Sequence, residues 1–71
     1  MTTHVLHYGP ATRTCESRVS ADGERFELVV TRDGVSRVES FASLDAMLIR
    51  ERQVIGSWQA HGWRPHASES S

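Results

Sequence analysis

Seventy-one residues leave room for one small domain, and a chain this short buries only about 60% of the surface it exposes when unfolded, which excludes a multidomain enzyme. Hydrophobic residues make up 38% and charged residues 24%, enough apolar content to fold but with no run long enough to span a bilayer. Eight basic residues against nine acidic ones give a formal charge of -1, which removes the bulk electrostatic case for nucleic acid or for an anionic membrane surface.

The first ten residues carry no basic segment, and their only apolar cluster is Val5 and Leu6, so no secretory leader is expected. A lone Cys15 cannot close an internal disulfide, and a cytoplasmic location is the expectation. Every basic residue is arginine and asparagine is absent, a bias that fits a GC-rich, bacterial genome as easily as a physical demand. His4 to Tyr8 alternates weakly before Gly9-Pro10, which leaves a fourth, edge strand ahead of the main sheet as an open alternative.

Two Asp-Gly pairs, Asp22-Gly23 and Asp33-Gly34, bracket a run rich in β-branched and aromatic residues and predict a three-stranded antiparallel meander. Its strands span about Thr12 to Ser20, Arg25 to Arg32 and Val35 to Phe41. A two-residue loop at Asp22-Gly23 pairs Val19 with Phe26, Ser17 with Leu28 and Cys15 with Val30, and sets Arg18 opposite Glu27 on the other face. At the second turn, a two-residue loop puts Arg37 and Glu39 beside Leu28 and Val30. A three-residue loop pairs Leu28 with Val38 instead. The three-residue form is preferred, because it joins Phe26, Leu28, Val30 and Val38 into one apolar surface.

After Phe41 the period changes to 3.6, and Leu44, Met47, Leu48, Ile55 and Trp58 fall on one side of an amphipathic helix from Leu44 to Ala60. Ser43 is a plausible N-cap, with Asp45 in the first turn. Gly62 suits the left-handed position after the helix, Pro65 blocks its continuation, and Trp63 falls where a Schellman motif brings it against Trp58. Residues 1–65 then form a single α+β domain of two layers, the helix packed on one face of the sheet, with a disordered tail over 66–71.

No catalytic pattern accompanies this fold. There is no P-loop, no Gly-x-Ser-x-Gly and no Gly-x-Gly-x-x-Gly, and the five glycines all fall at turn, cap or helix positions. His4, His7, His61, His66 and Cys15 are of metal-ligand type but lack ligand spacing, and Cys15 pairs with Val30 as a buried structural thiol. Neither cofactor nor metal is expected, and the chain reads as non-enzymatic.

A core this thin often needs support, and self-association is the expected source, through an open sheet edge or an outer sheet face holding Val29, Val35 and Phe41. Glu51 lies near the centre of the apolar stripe, where an unpaired carboxylate is costly. Either it reaches the sheet edge and meets Arg13 or Arg32, or it stands at a helix-helix contact and pairs with a partner's arginine. Gly56 in the same helix marks either the approach of another backbone or a tolerated defect. The expected role is a small interaction or accessory module, acting as a homodimer or on another protein. The alternative is a single-stranded nucleic-acid binder, using Arg18, Arg25 and Arg37 on the outer sheet face with Trp63, Trp58 and Tyr8 as stacking groups. Antiparallel strands followed by one helix is a topology similar to that of the Whirly and PUR repeats, which implies single-strand binding on a sheet face. Glu16, Glu27 and Glu39 share that face and cancel its charge, and the cap positions of the two tryptophans also suit closure of the core.

Overall fold

The computed structural model describes residues 2–66. Strands β1 (Thr2–Tyr8), β2 (Ala11–Val19), β3 (Phe26–Arg32) and β4 (Val35–Phe41) lead into helix α1 (Leu44–Ala60) and a two-residue strand, β5 (Arg64–Pro65). All pairings are antiparallel and the sheet order is β4-β3-β2-β1-β5. The architecture is two-layer α+β, with α1 laid over β2, β3 and β4. Among the described residues, no helix is long and apolar enough to cross a membrane.

The N-terminal segment left open by the sequence is a full strand, paired with β2 from Thr2 opposite Ser17 to Tyr8 opposite Ala11. β5 adds to its far side, and the His66 backbone N–H donates to the Val5 carbonyl at 2.7 Å. His66 is therefore hydrogen-bonded to the sheet and not part of the expected tail; 67–71 lie outside the described residues.

Between β2 and β3 the expected register holds throughout, from Val19 opposite Phe26 to Cys15 opposite Val30, and the Arg18 Nε donates to Glu27 Oε1 at 2.8 Å. The connection is wider than two residues. The Ser20 N–H donates to the Arg25 carbonyl at 2.9 Å, and Asp22 accepts from the Ser20 hydroxyl and the Glu24 N–H inside the loop.

The second turn corrects the sequence reading. Asp33 (φ 53) and Gly34 (φ 77) are both left-handed, and Arg32 pairs directly with Val35, so the loop has two residues and the primed geometry that matches strand twist. Leu28 consequently faces Glu39, not Val38, and Val30 faces Arg37. Side-chain alternation then sends Val38 to the outer face, 53% exposed, and carries Val35, Arg37, Glu39 and Phe41 to the helix side. Turn chemistry outweighed apolar patterning here because the helix side at β4 has polar company for these residues: Arg50 of α1 donates to Glu39 at 3.0 Å.

The helix boundaries are those of the sequence pattern, but the helix is rolled about its axis. Its buried residues are Met47, Glu51, Val54 and Trp58, while Leu44 and Leu48 of the expected stripe are largely exposed. Leu6, Cys15, Leu28 and Val30 meet them from the sheet, with Phe26, Phe41, Ile55 and Trp63 packed around this core. Ser43 caps the start, its hydroxyl accepting from the Ala46 N–H at 3.2 Å. A complete Schellman motif ends it: Gly62 (φ 94) donates to the Gln59 carbonyl at 3.1 Å and Trp63 to the Trp58 carbonyl at 3.0 Å.

The two glycines of this region should respond oppositely to alanine. A Cβ at Gly56 meets open space on an ordinary helical backbone, so Gly56→Ala should stabilise the monomer by about 0.5 to 1 kcal/mol. Gly62→Ala forces a left-handed alanine whose Cβ comes within 3.0 Å of the Tyr8 ring, and should destabilise by about 1 kcal/mol or more. Urea unfolding at low micromolar concentration measures both.

Candidate functional site

Three places on the molecule combine chemistry-bearing side chains with an unusual setting: a polar pocket in the core around Glu51, an arginine and tryptophan cluster beneath the end of α1, and the outward face of that helix.

Glu51 is 8% exposed and projects from the buried stripe of α1 onto the sheet between β1 and β2. Its Oε2 lies 3.3 Å from His4 Nε2 and accepts from the Thr2 hydroxyl at 3.4 Å; Thr2 in turn shares a 2.9 Å hydrogen bond with the buried Ser17 hydroxyl. The expected arginine partners, Arg13 and Arg32, are not among its contacts within the chain, where His4 and Thr2 take their place. Sequence reasoning missed this because it gave β1 no settled position, and β1 supplies both partners.

His4 and Cys15 are Cα partners across β1 and β2, so a thiol, an imidazole and a carboxylate share one floor. Their chemistry is nevertheless that of a buried thiol. Cys15 is fully enclosed, and its pKa is raised from 9.0 to about 11, first by burial and then by the nearby Glu51 and Glu39 carboxylates. A nucleophilic cysteine needs the opposite shift. Elsewhere, the His7 and His66 rings sit edge to face at 6.2 Å, and among the described residues no three His, Cys, Asp or Glu side chains gather around a metal-sized space.

At the other end of the helix, Arg13 lies between the two tryptophans, its guanidinium carbon 4.1 Å from the Trp63 ring centre and 5.5 Å from that of Trp58. Tyr8 leans against Trp63 with ring centres 5.7 Å apart. Trp58 is buried and Trp63 half-buried against the core, so both close the core as their cap positions suggested. Neither lies on the outer sheet face.

That outer face differs from the expected nucleic-acid platform. Arg37 has moved to the helix side with the turn, Arg18 is tied to Glu27, and the Arg25 Nε donates to the Ser40 hydroxyl at 2.6 Å. The residues expected at an interface are likewise scattered. Val29 stays on the outer face opposite Glu16 and Val38, Val35 and Phe41 belong to the helix side, Glu51 is internal, and Gly56 is exposed on α1.

The roll of α1 exposes Leu44 and Leu48, which the sequence pattern assigned to the core, beside Ile49, which it did not. Leu44, Leu48 and Ile49 are 39%, 40% and 60% exposed, and Leu48 and Ile49 share a shallow open depression with Asp45, Arg52 and Gln53. A scan of protein-family models found none that matches this chain, and searches of curated proteins and of solved structures found no match either.

The thiol environment sets a pH dependence. Because the folded-state pKa of Cys15 lies above its usual value, the unfolded chain loses this proton first on raising the pH. The contribution is complete below about pH 9 and is lost as pH rises from 9.0 towards 11, at up to about 1.4 kcal/mol per pH unit. Denaturant unfolding at pH 8 and pH 10 should show this decline in the native sequence and a shallower one in Cys15→Ala.

Proposed function

We propose that the protein is a non-enzymatic interaction module that acts as a homodimer, joined through the outward face of α1. The observation that carries this reading is the self-complementary order of that face. Asp45, Ile49, Arg52 and Gly56 recur at helical spacing on the side away from the buried stripe, with Leu48 beside them. Let two copies of α1 run antiparallel about a twofold axis between residues 48 and 49. Leu48 of each copy then meets Ile49 of the other, Leu44 meets Gln53, and Asp45 meets Arg52, so that each rim charge faces its opposite. Gly56 lies further along the same face with no heavy atom near its missing Cβ; in this arrangement it stands opposite position 41 of the second copy, beyond the start of that copy's α1.

A chain of this size gains little from its own core, and covering Leu44, Leu48 and Ile49 adds apolar burial to it. The open edge at β4 is the competing contact surface, but it presents Arg37 and Glu39 beside its strand ladder, and such inward-facing charge discourages edge pairing.

Sedimentation velocity at tens of micromolar should show a dimer for the native sequence and a monomer for Ile49→Arg, whose side chain is exposed and whose helical circular dichroism should be unchanged. Asp45→Arg and Arg52→Asp should each weaken the dimer, and the double variant should recover it, with about 0.2 to 1 kcal/mol at stake per rim pair. A native chain that stays monomeric at several hundred micromolar, or a dimer indifferent to Ile49→Arg, overturns the reading.

A further inference from the structure

The cleft beneath the C-terminal half of α1 gathers cations without matching acids. Arg13 and Arg32 are Cα partners across β2 and β3, both on the helix side, which is a like-charged cross-strand pair of the kind that weakens a sheet. With Ser57, Trp58, His61 and Trp63 they line a cleft of about 300 Å³. Through Arg32, Ser57 and Trp58 this cleft continues into a second recess that reaches Arg37.

Among the described residues, none of these three arginines has a carboxylate partner. The acid on that side, Glu39, is held by Arg50 at 3.0 Å. With nine acidic residues for eight arginines in the chain, the missing counter-charge is a matter of placement and not of supply. The last carbonyls of the helix do not substitute for it. Those of Ser57, Trp58 and Gln59 accept from the backbone N–H groups of His61, Trp63 and Gly62.

Arg13 is the best defined member. Its guanidinium lies over the Trp63 and Trp58 rings, and its buried Nε has no acceptor among the described residues. A stacked, weakly hydrated guanidinium presents a rigid fork of donors that suits a tetrahedral or planar oxyanion. His61 donates its Nδ1–H to the Ser57 carbonyl at 2.8 Å, which leaves Nε2 as the ring nitrogen available to a ligand.

We propose that this cleft and the recess adjoining it bind a small phosphate-bearing ligand, inorganic phosphate or a phosphate monoester, with Arg32, which lines both, at the centre, Arg13 on the cleft side and Arg37 on the recess side. The volume lies at the lower end of ligand pockets, which suits a phosphoryl group and its immediate substituent better than a long polyanion. The site lies under the C-terminal half of α1 and shares Gln53, which lines the adjoining recess, with the face proposed to join two copies; the Ile49→Arg variant keeps the two proposals distinguishable.

Both tryptophans of the chain line this cleft, which makes intrinsic fluorescence a direct reporter of it. Titration with sodium phosphate and with a nucleoside monophosphate, at constant ionic strength set by chloride, should give a saturable change in emission. A tighter response to the monoester identifies an esterified ligand, and equal responses identify the free ion. Arg32→Gln and Arg37→Gln, both at exposed positions, should each weaken binding about tenfold. Arg18→Gln on the outer sheet face and Ile49→Arg on α1 should leave it unchanged. The proposal is overturned if neither probe gives a saturable response, if the Arg32→Gln/Arg37→Gln double variant responds like the native chain, or if only a single-stranded oligonucleotide binds.

Discussion

A carboxylate in the seam between helix and sheet decides how this small domain is put together. Glu51 occupies a position in α1 that an apolar side chain would fill in an ordinary amphipathic helix, and it is buried between Met47 and Val54 in the same stripe. Burial of such a group is tolerable only with polar partners, and these come from β1: the His4 imidazole at 3.3 Å and the Thr2 hydroxyl, itself bonded to Ser17. The N-terminal strand is thus more than an added edge, since it supplies the floor on which the carboxylate rests. With the helix seated so that Met47, Glu51, Val54 and Trp58 face the sheet, Leu44 and Leu48 stand exposed beside Ile49.

A second constraint acts at the opposite edge. Asp33 and Gly34 adopt the left-handed pair of a two-residue hairpin, and this one local conformation assigns every side chain of β4 to its face. Val38 goes outward and is left half-exposed, at a cost in apolar burial. In exchange, Glu39 meets Arg50 across the layer boundary and Arg37 joins the helix side. The arginine cluster under the end of α1 therefore depends on the turn as much as on the arginines themselves, for a one-residue change in loop length would place Arg37 on the far face of the sheet.

How far the sequence revealed this structure depended on how local each determinant was. The β2 to β3 register was legible because parity and the Arg18 and Glu27 pair agreed, although the connecting loop is wider than the two residues expected at Asp22-Gly23. Both helix ends were legible because Ser43, Gly62 and Pro65 act within a turn or two of their own positions. The β3 to β4 register was misread because apolar patterning and turn preference disagreed, and the turn prevailed. The helix roll was hidden for a different reason: Leu44, Met47, Leu48, Ile55 and Trp58 make a respectable stripe, and only knowledge of what stands opposite Glu51 shows that the seam runs through Met47, Glu51, Val54 and Trp58. Those opposing residues are some fifty positions away in the chain, beyond the reach of any periodicity. The arginine and tryptophan cleft was invisible for the same reason, since Arg13, Arg32 and Trp63 become neighbours only once β2, β3 and the post-helical turn are in place.

The outward helix face and the arginine cleft share one origin. A domain with seven buried apolar side chains among its described residues cannot also bury every remaining apolar residue and neutralise every cation within a single layer on a single sheet. Part of what is left over lies on α1, where Leu44, Leu48 and Ile49 stand away from the sheet beside Asp45 and Arg52, while Tyr8, Val19, Val35 and Val38 are exposed elsewhere; where the helix ends, Arg13 lies over the rings of Trp58 and Trp63. Scattered single exposed residues would be the ordinary by-product of a small fold. On α1 the exposed apolar residues adjoin one another beside an acid and a base, and at the helix end Arg13 and Arg32 adjoin two tryptophans, so each group forms a contiguous surface instead of isolated residues.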